Sequence, residues 1–103
     1  MMTPTPVLEV ALFTVKPASI AHMPQLRDAL RQTLKDFPGV LSYHALQAHP
    51  GSDQFADLVR WDSLAHAKAA QQAFEQGDPR FLPYMQAIER LDFMGHYECP
   101  EPF

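Results

Sequence analysis

The chain is predicted to fold as a single α+β domain: a four-stranded antiparallel sheet with its helices on one face, in the order β-α-β-β-α-β. Three observations carry that prediction. The run from Val7 to Lys16 is apolar on both alternating faces, broken only by Glu9 and Thr14, as a strand covered on both sides is. Behind it, Met23, Leu26, Leu30, Leu34 and Phe37 recur at three- and four-residue spacing, the stripe of an amphipathic helix. Further on, an apolar strand from Phe55 to Trp61 turns over Asp62-Ser63 into an Ala-rich run that ends at Gly77. Asp and Ser are good N-cap residues, so a strand hands directly to a helix that lies back over it.

The elements follow in order. Met1 to Pro6 is expected to be a flexible tail, since its two prolines prevent regular hydrogen bonding. The first strand stops at Pro17. The first helix starts at Ser19 or, because Pro24 suits a first turn, only there. Arg27, Arg31 and Lys35 form a stripe that reads as a solvated face, offset by Asp28 and Asp36. Pro38-Gly39 ends that helix. Val40 to Ala48 is the second strand, and His49 to Asp53 is a hairpin loop. After Gly77, Asp78-Pro79 restarts a helix through Phe81, Leu82, Met85 and Ile88. Leu91 to Cys99 is the last strand.

A split βαβ arrangement of this kind is ferredoxin-like, and right-handed crossovers give the strand order 4-1-3-2. Two helices cover one face of a sheet. The first strand carries Leu8, Val10 and Leu12 on one side and Val7, Ala11, Phe13 and Val15 on the other. One of these sets would face water in a monomer, so a homodimer through the sheet face is expected.

Composition bounds the function. The chain has 103 residues, 47% of them hydrophobic, and a formal net charge of −4 from eight basic and twelve acidic residues. One domain fits that length, and a mildly acidic surface lacks the field that draws nucleic acid. No apolar run approaches the ~20 residues of a membrane helix, and the N-terminal residues lack the basic start of a signal peptide. A single cysteine, Cys99, cannot pair within the chain, so a cytoplasmic location is expected.

Three separated stretches then point to a family: Phe13 to Pro17 closing the first strand, Pro38 to Tyr43 entering the second, and Phe55 to Ser63 at the strand-to-helix turn. In this order they resemble the antibiotic-biosynthesis-monooxygenase-like domains of the dimeric α+β barrel superfamily. The resemblance covers nearly the whole chain. It implies a homodimer whose two sheets form a barrel, with a pocket in each subunit between sheet and helices. It also implies a small aromatic or quinol ligand, for a cofactor-independent oxygenase or for a non-catalytic binding or assembly module. The family's haem-degrading branch uses an Asn in the first strand, a Trp in the second helix and a His beyond it. Here those places hold Val10, Ala69 and Ala70, and Tyr84 and Met85.

Individual residues sharpen the reading. Glu9, alone among apolar neighbours, needs a partner such as Arg60 or a hydroxyl of a neighbouring strand, or serves as a general base beside a pocket. His44 is a second candidate base. Trp61 either walls a substrate site or anchors the turn in the core, and Tyr43 and His96 are further candidate ligand contacts. The alanines 65, 67, 69, 70 and 73 either leave room for a ligand or let the helix pack closely. No metal or other cofactor is expected. His44 and His49 face opposite ways on their strand, and His44 and His96 lie on the two outer strands, ~14 Å apart. No Gly-rich phosphate loop, Ser-His-Asp spacing or Cys-x-x-Cys occurs.

Overall fold

A computed structural model describes residues 5–99; most of the expected tail lies outside the described residues. The strands are β1 (Val7–Val15), β2 (Val40–Gln47), β3 (Gln54–Trp61) and β4 (Ile88–Glu98); the α-helices are α1 (Met23–Leu34), α2 (Leu64–Glu75) and α3 (Leu82–Ala87). Tight 3-10 turns at Pro17–His22 and Pro79–Phe81 lead into α1 and α3. The sheet is antiparallel, ordered β2-β3-β1-β4, the expected order read from its other edge.

The inward face of β1 is the one the alternation marked, with Val7, Ala11, Phe13 and Val15 all buried. They meet Met23, Leu30 and Leu34 of α1, Ala67 and Ala70 of α2, and Phe81, Tyr84 and Ala87 around α3. Of the alanines in α2, then, 67 is wholly buried in close packing and 70 is buried but borders open space, while 65 and 69 are exposed. Leu8, Val10 and Leu12 lie on the other face, which no helix covers; Leu12 is 41% exposed.

At two element boundaries the structure decides what the sequence left open or set differently. The α-helix proper begins at Met23 with a proline in its first turn, the later of the two starts considered. The last strand begins at Ile88 rather than Leu91, because the Lys16 amide donates to the Ala87 carbonyl (2.9 Å) and draws the chain into the sheet. Two bulges then shift β4 against β1, between Leu12 and Phe13 and between Thr14 and Val15.

The strand-to-helix turn is built as the sequence suggested. Ser63 is the N-cap of α2 and accepts from the His66 amide (3.3 Å). Asp62 pairs instead with the His66 ring (2.6 Å) and donates its amide to the Gly39 carbonyl (2.8 Å). Gly39 has φ +91°, and a Cβ there would collide with the Asp62 and His66 side chains. Only glycine satisfies both demands.

The stripe of basic residues on α1 is not a uniformly solvated face. Arg27 falls within the buried row of Met23, Leu30 and Leu34, and is itself buried. Its guanidinium lies 4.7 Å from the centre of the Phe55 ring and donates to Asp57 Oδ1 (3.1 Å) and to the Leu46 (2.8 Å) and Ala56 (3.2 Å) carbonyls. Tyr43 donates to Asp57 Oδ1 (3.0 Å) and Tyr84 to Asp57 Oδ2 (2.5 Å). One carboxylate thus joins β2, β3, α1 and α3. Removing only the cation leaves a buried charge uncompensated, so Arg27→Met should cost about 3–5 kcal/mol in urea unfolding. Adding Asp57→Asn to that variant should recover part of the loss. No recovery would mean that the guanidinium matters through its packing on Phe55 and not through its charge.

Candidate functional site

Between the sheet and the helices lies a cavity of about 510 Å³. Its floor is β1 and β3 (Ala11, Phe13, Val59, Trp61), and its walls are Leu30 and Leu34 of α1, Ala70 and Phe74 of α2, and Phe81, Tyr84 and Met85 around α3. Ala70 is where a larger side chain would fill this space. Polar groups are few: Glu9, Asp57 and the Tyr84 phenol, with Gln71, Glu75, Glu89 and Arg90 also on its boundary. The β4 bulges carry Glu89, Arg90 and Leu91 to it, a common use of such irregularities beside a site.

Register decides the partner of Glu9. Its Cα lies opposite Val59 on one side and His96 on the other, whereas Arg60 lies opposite Leu8 and belongs to the uncovered face. The partner is therefore neither Arg60 nor a hydroxyl. His96 Nε2 sits 3.3 Å from Glu9 Oε1, with side-chain exposures of 13% and 14%. Burial, with a smaller push from the Asp57 carboxylate, raises the Glu9 pKa to about 7, against a weaker opposing pull from Trp61. His96 is pushed below its usual range by burial and by Lys68. An ion pair would move both groups the other way.

Trp61 is both of the things the sequence left open: it is 0% exposed in the core, and it lines the cavity. Its Nε1 is buried with no partner in hydrogen-bonding geometry, yet it lies near enough to Glu9 to favour the ionised carboxyl. Tyr43 and His96 do not line the cavity; Tyr43 is turned to Asp57 and His96 to Glu9. His44 is exposed, opposite Leu58 on the uncovered face, and so is separated from Glu9 by the sheet. Asp57 and Tyr84 had no place among the expected site residues. The one signal for Asp57 was an acidic residue between Phe55 and Val59 at an inward position of β3. Burial pushes its carboxyl upward, against the donors that hold the charged form.

Among the described residues no three His, Cys, Asp or Glu side chains converge as a metal site would require, and no helix is long and apolar enough to cross a membrane.

The family model for antibiotic biosynthesis monooxygenases matches residues 6–89. The chain belongs to this family. Its fold is shared by a candidate antibiotic biosynthesis monooxygenase from Chloroflexus aurantiacus, at 18% identity and a TM-score of 0.74, over 96% of this chain and 97% of that one. A second candidate from Bordetella bronchiseptica matches at 10% identity and a TM-score of 0.78, covering 92% and 97%. A heme-degrading protein of Mycobacterium tuberculosis matches at 15% identity and a TM-score of 0.60, over 97% of each chain. No curated protein matches the sequence.

The carboxyl in the cavity makes stability depend on pH. Glu9 has a pKa of about 7 in the fold against an ordinary 4.5. The fold therefore holds the proton more tightly, and the contribution of Glu9, complete below its unfolded pKa, is lost as pH rises through 7. Glu9→Gln stays neutral throughout. It should match the native protein near pH 4 and exceed it above neutrality by on the order of 2–3 kcal/mol. Denaturant unfolding at equal protein concentration across that range checks this; parallel pH curves for the two proteins would mean that Glu9 ionises without cost.

Proposed function

We propose that this protein is a homodimeric, cofactor-independent monooxygenase-like enzyme that acts on a small aromatic or quinol substrate in the cavity. The supporting observation is one carboxyl, Glu9, tuned to neutrality on an apolar cavity wall in a chain of this family. A base with a pKa near the working pH is best placed to take a proton from a weak carbon or oxygen acid. The deprotonated substrate is then the electron donor to dioxygen. For a methylene that becomes a carbonyl, one O₂ is consumed and one water released. Phe13, Phe74 and Phe81 supply dry, aromatic walls. At the places used for haem degradation, Val10 lies on the uncovered face, and Ala70, Tyr84 and Met85 line the cavity instead, which favours an oxygenase acting on a smaller molecule. The alternative is a binding module that uses the same cavity without chemistry. A cytoplasmic location belongs to the same reading, supported by the lone Cys99.

Oxygen uptake with a panel of anthrones and quinols separates the two. The native protein should consume oxygen with at least one of them, and Glu9→Gln should lower that rate about 10²-fold or more. Binding without uptake above buffer would leave the module reading in place.

The homodimer rests on the uncovered sheet face. Leu8, Val10, Leu12, Leu46, Leu58 and Phe93 share it with Tyr97, which is 50% exposed. Each large side chain fully buried there adds about 1.5–3 kcal/mol, and a twofold pairing covers both copies with one self-complementary surface. Light scattering at micromolar concentration should give a dimer, with a melting temperature that rises with concentration. A stable monomer would overturn this part of the reading.

A further inference from the structure

We propose that Glu9 and His96 form a proton relay between the cavity and solvent, with His96 as the positioning and proton-accepting partner that returns Glu9 to its basic form. The inference rests on the reading of Glu9 as the cavity base. It goes beyond that reading because the cavity itself does not include His96.

The geometry is that of two groups in series. Glu9 lines the cavity, and His96 does not. His96 touches Glu9 Oε1 at 3.3 Å from β4, the outer strand next to β1, while the Trp61 indole acts on the same carboxyl from the cavity floor. A ligand filling an apolar cavity would shut Glu9 off from water on that side. The remaining exit is through the imidazole, which is half-buried on the edge strand with the exposed Lys68 of α2 near it. The surface pair Asp62 and His66 is the contrast within this chain, a contact that favours the charged carboxylate. It is shorter at 2.6 Å, with side chains 41% and 47% exposed, and the His66 contact lowers the Asp62 pKa. Glu9 and His96 are longer, more buried and shifted oppositely, each toward its neutral form. Both groups start neutral, so neither is locked in a standing ion pair; transfer from carboxyl to imidazole creates a carboxylate–imidazolium pair that lasts only until the ring passes its other proton to solvent. The other charged groups around the pair are Asp57 on β3, which raises Glu9, Lys68 on α2, and Glu75, Glu89 and Arg90 on the cavity boundary.

The step balances as follows. A weak acid in the cavity gives its proton to the other carboxyl oxygen of Glu9, and the bonding pair stays on the ligand. Rotation about the soft terminal torsion of the carboxyl presents the proton to the lone pair of His96 Nε2. The imidazolium releases its Nδ1 proton to water. The net change is one ligand anion and one hydrated proton, with the carboxylate restored and the imidazole left as its Nε2–H tautomer, which exchange with water returns to the Nδ1–H form before the next transfer.

The test uses the full-length protein, with 4-nitrophenol as the acidic aromatic probe because its anion is coloured. Binding is read from quenching of the single tryptophan, Trp61, and proton release from a pH indicator in stopped flow. In His96→Gln, which keeps a polar contact to Glu9 but cannot carry a proton, release should slow roughly a hundredfold, while the dissociation constant moves less than about threefold. His96→Ala should be slow alone and partly restored by added imidazole. An unchanged release rate in both variants overturns the relay. In parallel, NMR titrations of the ligand-free protein follow the Glu9 carboxyl and His96 ring carbons. Glu9→Gln should shift the His96 midpoint, and His96→Gln should shift that of Glu9. Independent midpoints overturn the relay whether or not the probe binds. Failure of 4-nitrophenol to quench Trp61, with the midpoints still coupled, would count against the proposed ligand class and leave the relay standing.

Discussion

The structure depends on the charge of Asp57. A carboxylate at the centre of a small domain is expensive unless every oxygen is paired, and here both are. Arg27 and Tyr43 share Oδ1, and Tyr84 takes Oδ2. The cation comes from α1, the phenols from β2 and α3, and the acceptor from β3. No one of these elements satisfies its own polar group, so each is held in place by the others. Arg27 also takes up two strand carbonyls, which ties the helix to the backbone of the hairpin as well as to its side chains. A purely apolar core of the same size would cost less to desolvate, but it would not set which turn of α1 lies over which pair of strands.

That fixed frame is what makes room for a cavity. The helices stand off the sheet where Asp57 and Tyr84 hold them, and small residues such as Ala11 and Ala70 leave the intervening space unfilled. Glu9 sits at the margin of that space, close enough to Asp57 to feel its charge. The carboxyl that stabilises the fold thus also pushes the second carboxyl toward neutrality. Two acidic residues in one interior take opposite roles because one has a cation beside it and the other a neutral imidazole.

Much of the fold was legible in the sequence. Alternation in Val7 to Val15 assigned both faces of the central strand, and Asp62-Ser63 and Pro38-Gly39 marked turns that the structure contains. Ser63 could not be told from Asp62 as the cap, because either side chain reaches a helix amide; only the approach of Gly39 and His66 assigns Asp62 elsewhere. Arg27 was misread for a physical reason. Its spacing to Arg31 and Lys35 suggested a charged stripe, but its spacing to Met23 and Leu30 placed it equally in the apolar row, and the waiting carboxylate lay thirty residues away. The partner of Glu9 was out of reach in the same sense. A slip of one residue exchanges His96 for a neighbour on the opposite face, and the two bulges of β4 that set the alignment leave no mark in a single sequence.

Those irregularities are not evenly shared. β1 and β3 pair without interruption, whereas β4 shifts twice against β1, and β2 shifts between Val40 and Ser42. Every break in the ladder therefore involves an outer strand. The inner pair acts as a ruler, with Glu9, Asp57 and Trp61 at fixed marks, and discrepancies of length are passed outward, where a kinked border with Glu89, Arg90 and Asp92 along it is also a poor template for a foreign strand. Chain length is consequently free to drift at the margins, while a single inserted or deleted residue in the middle would turn the interior of the molecule inside out.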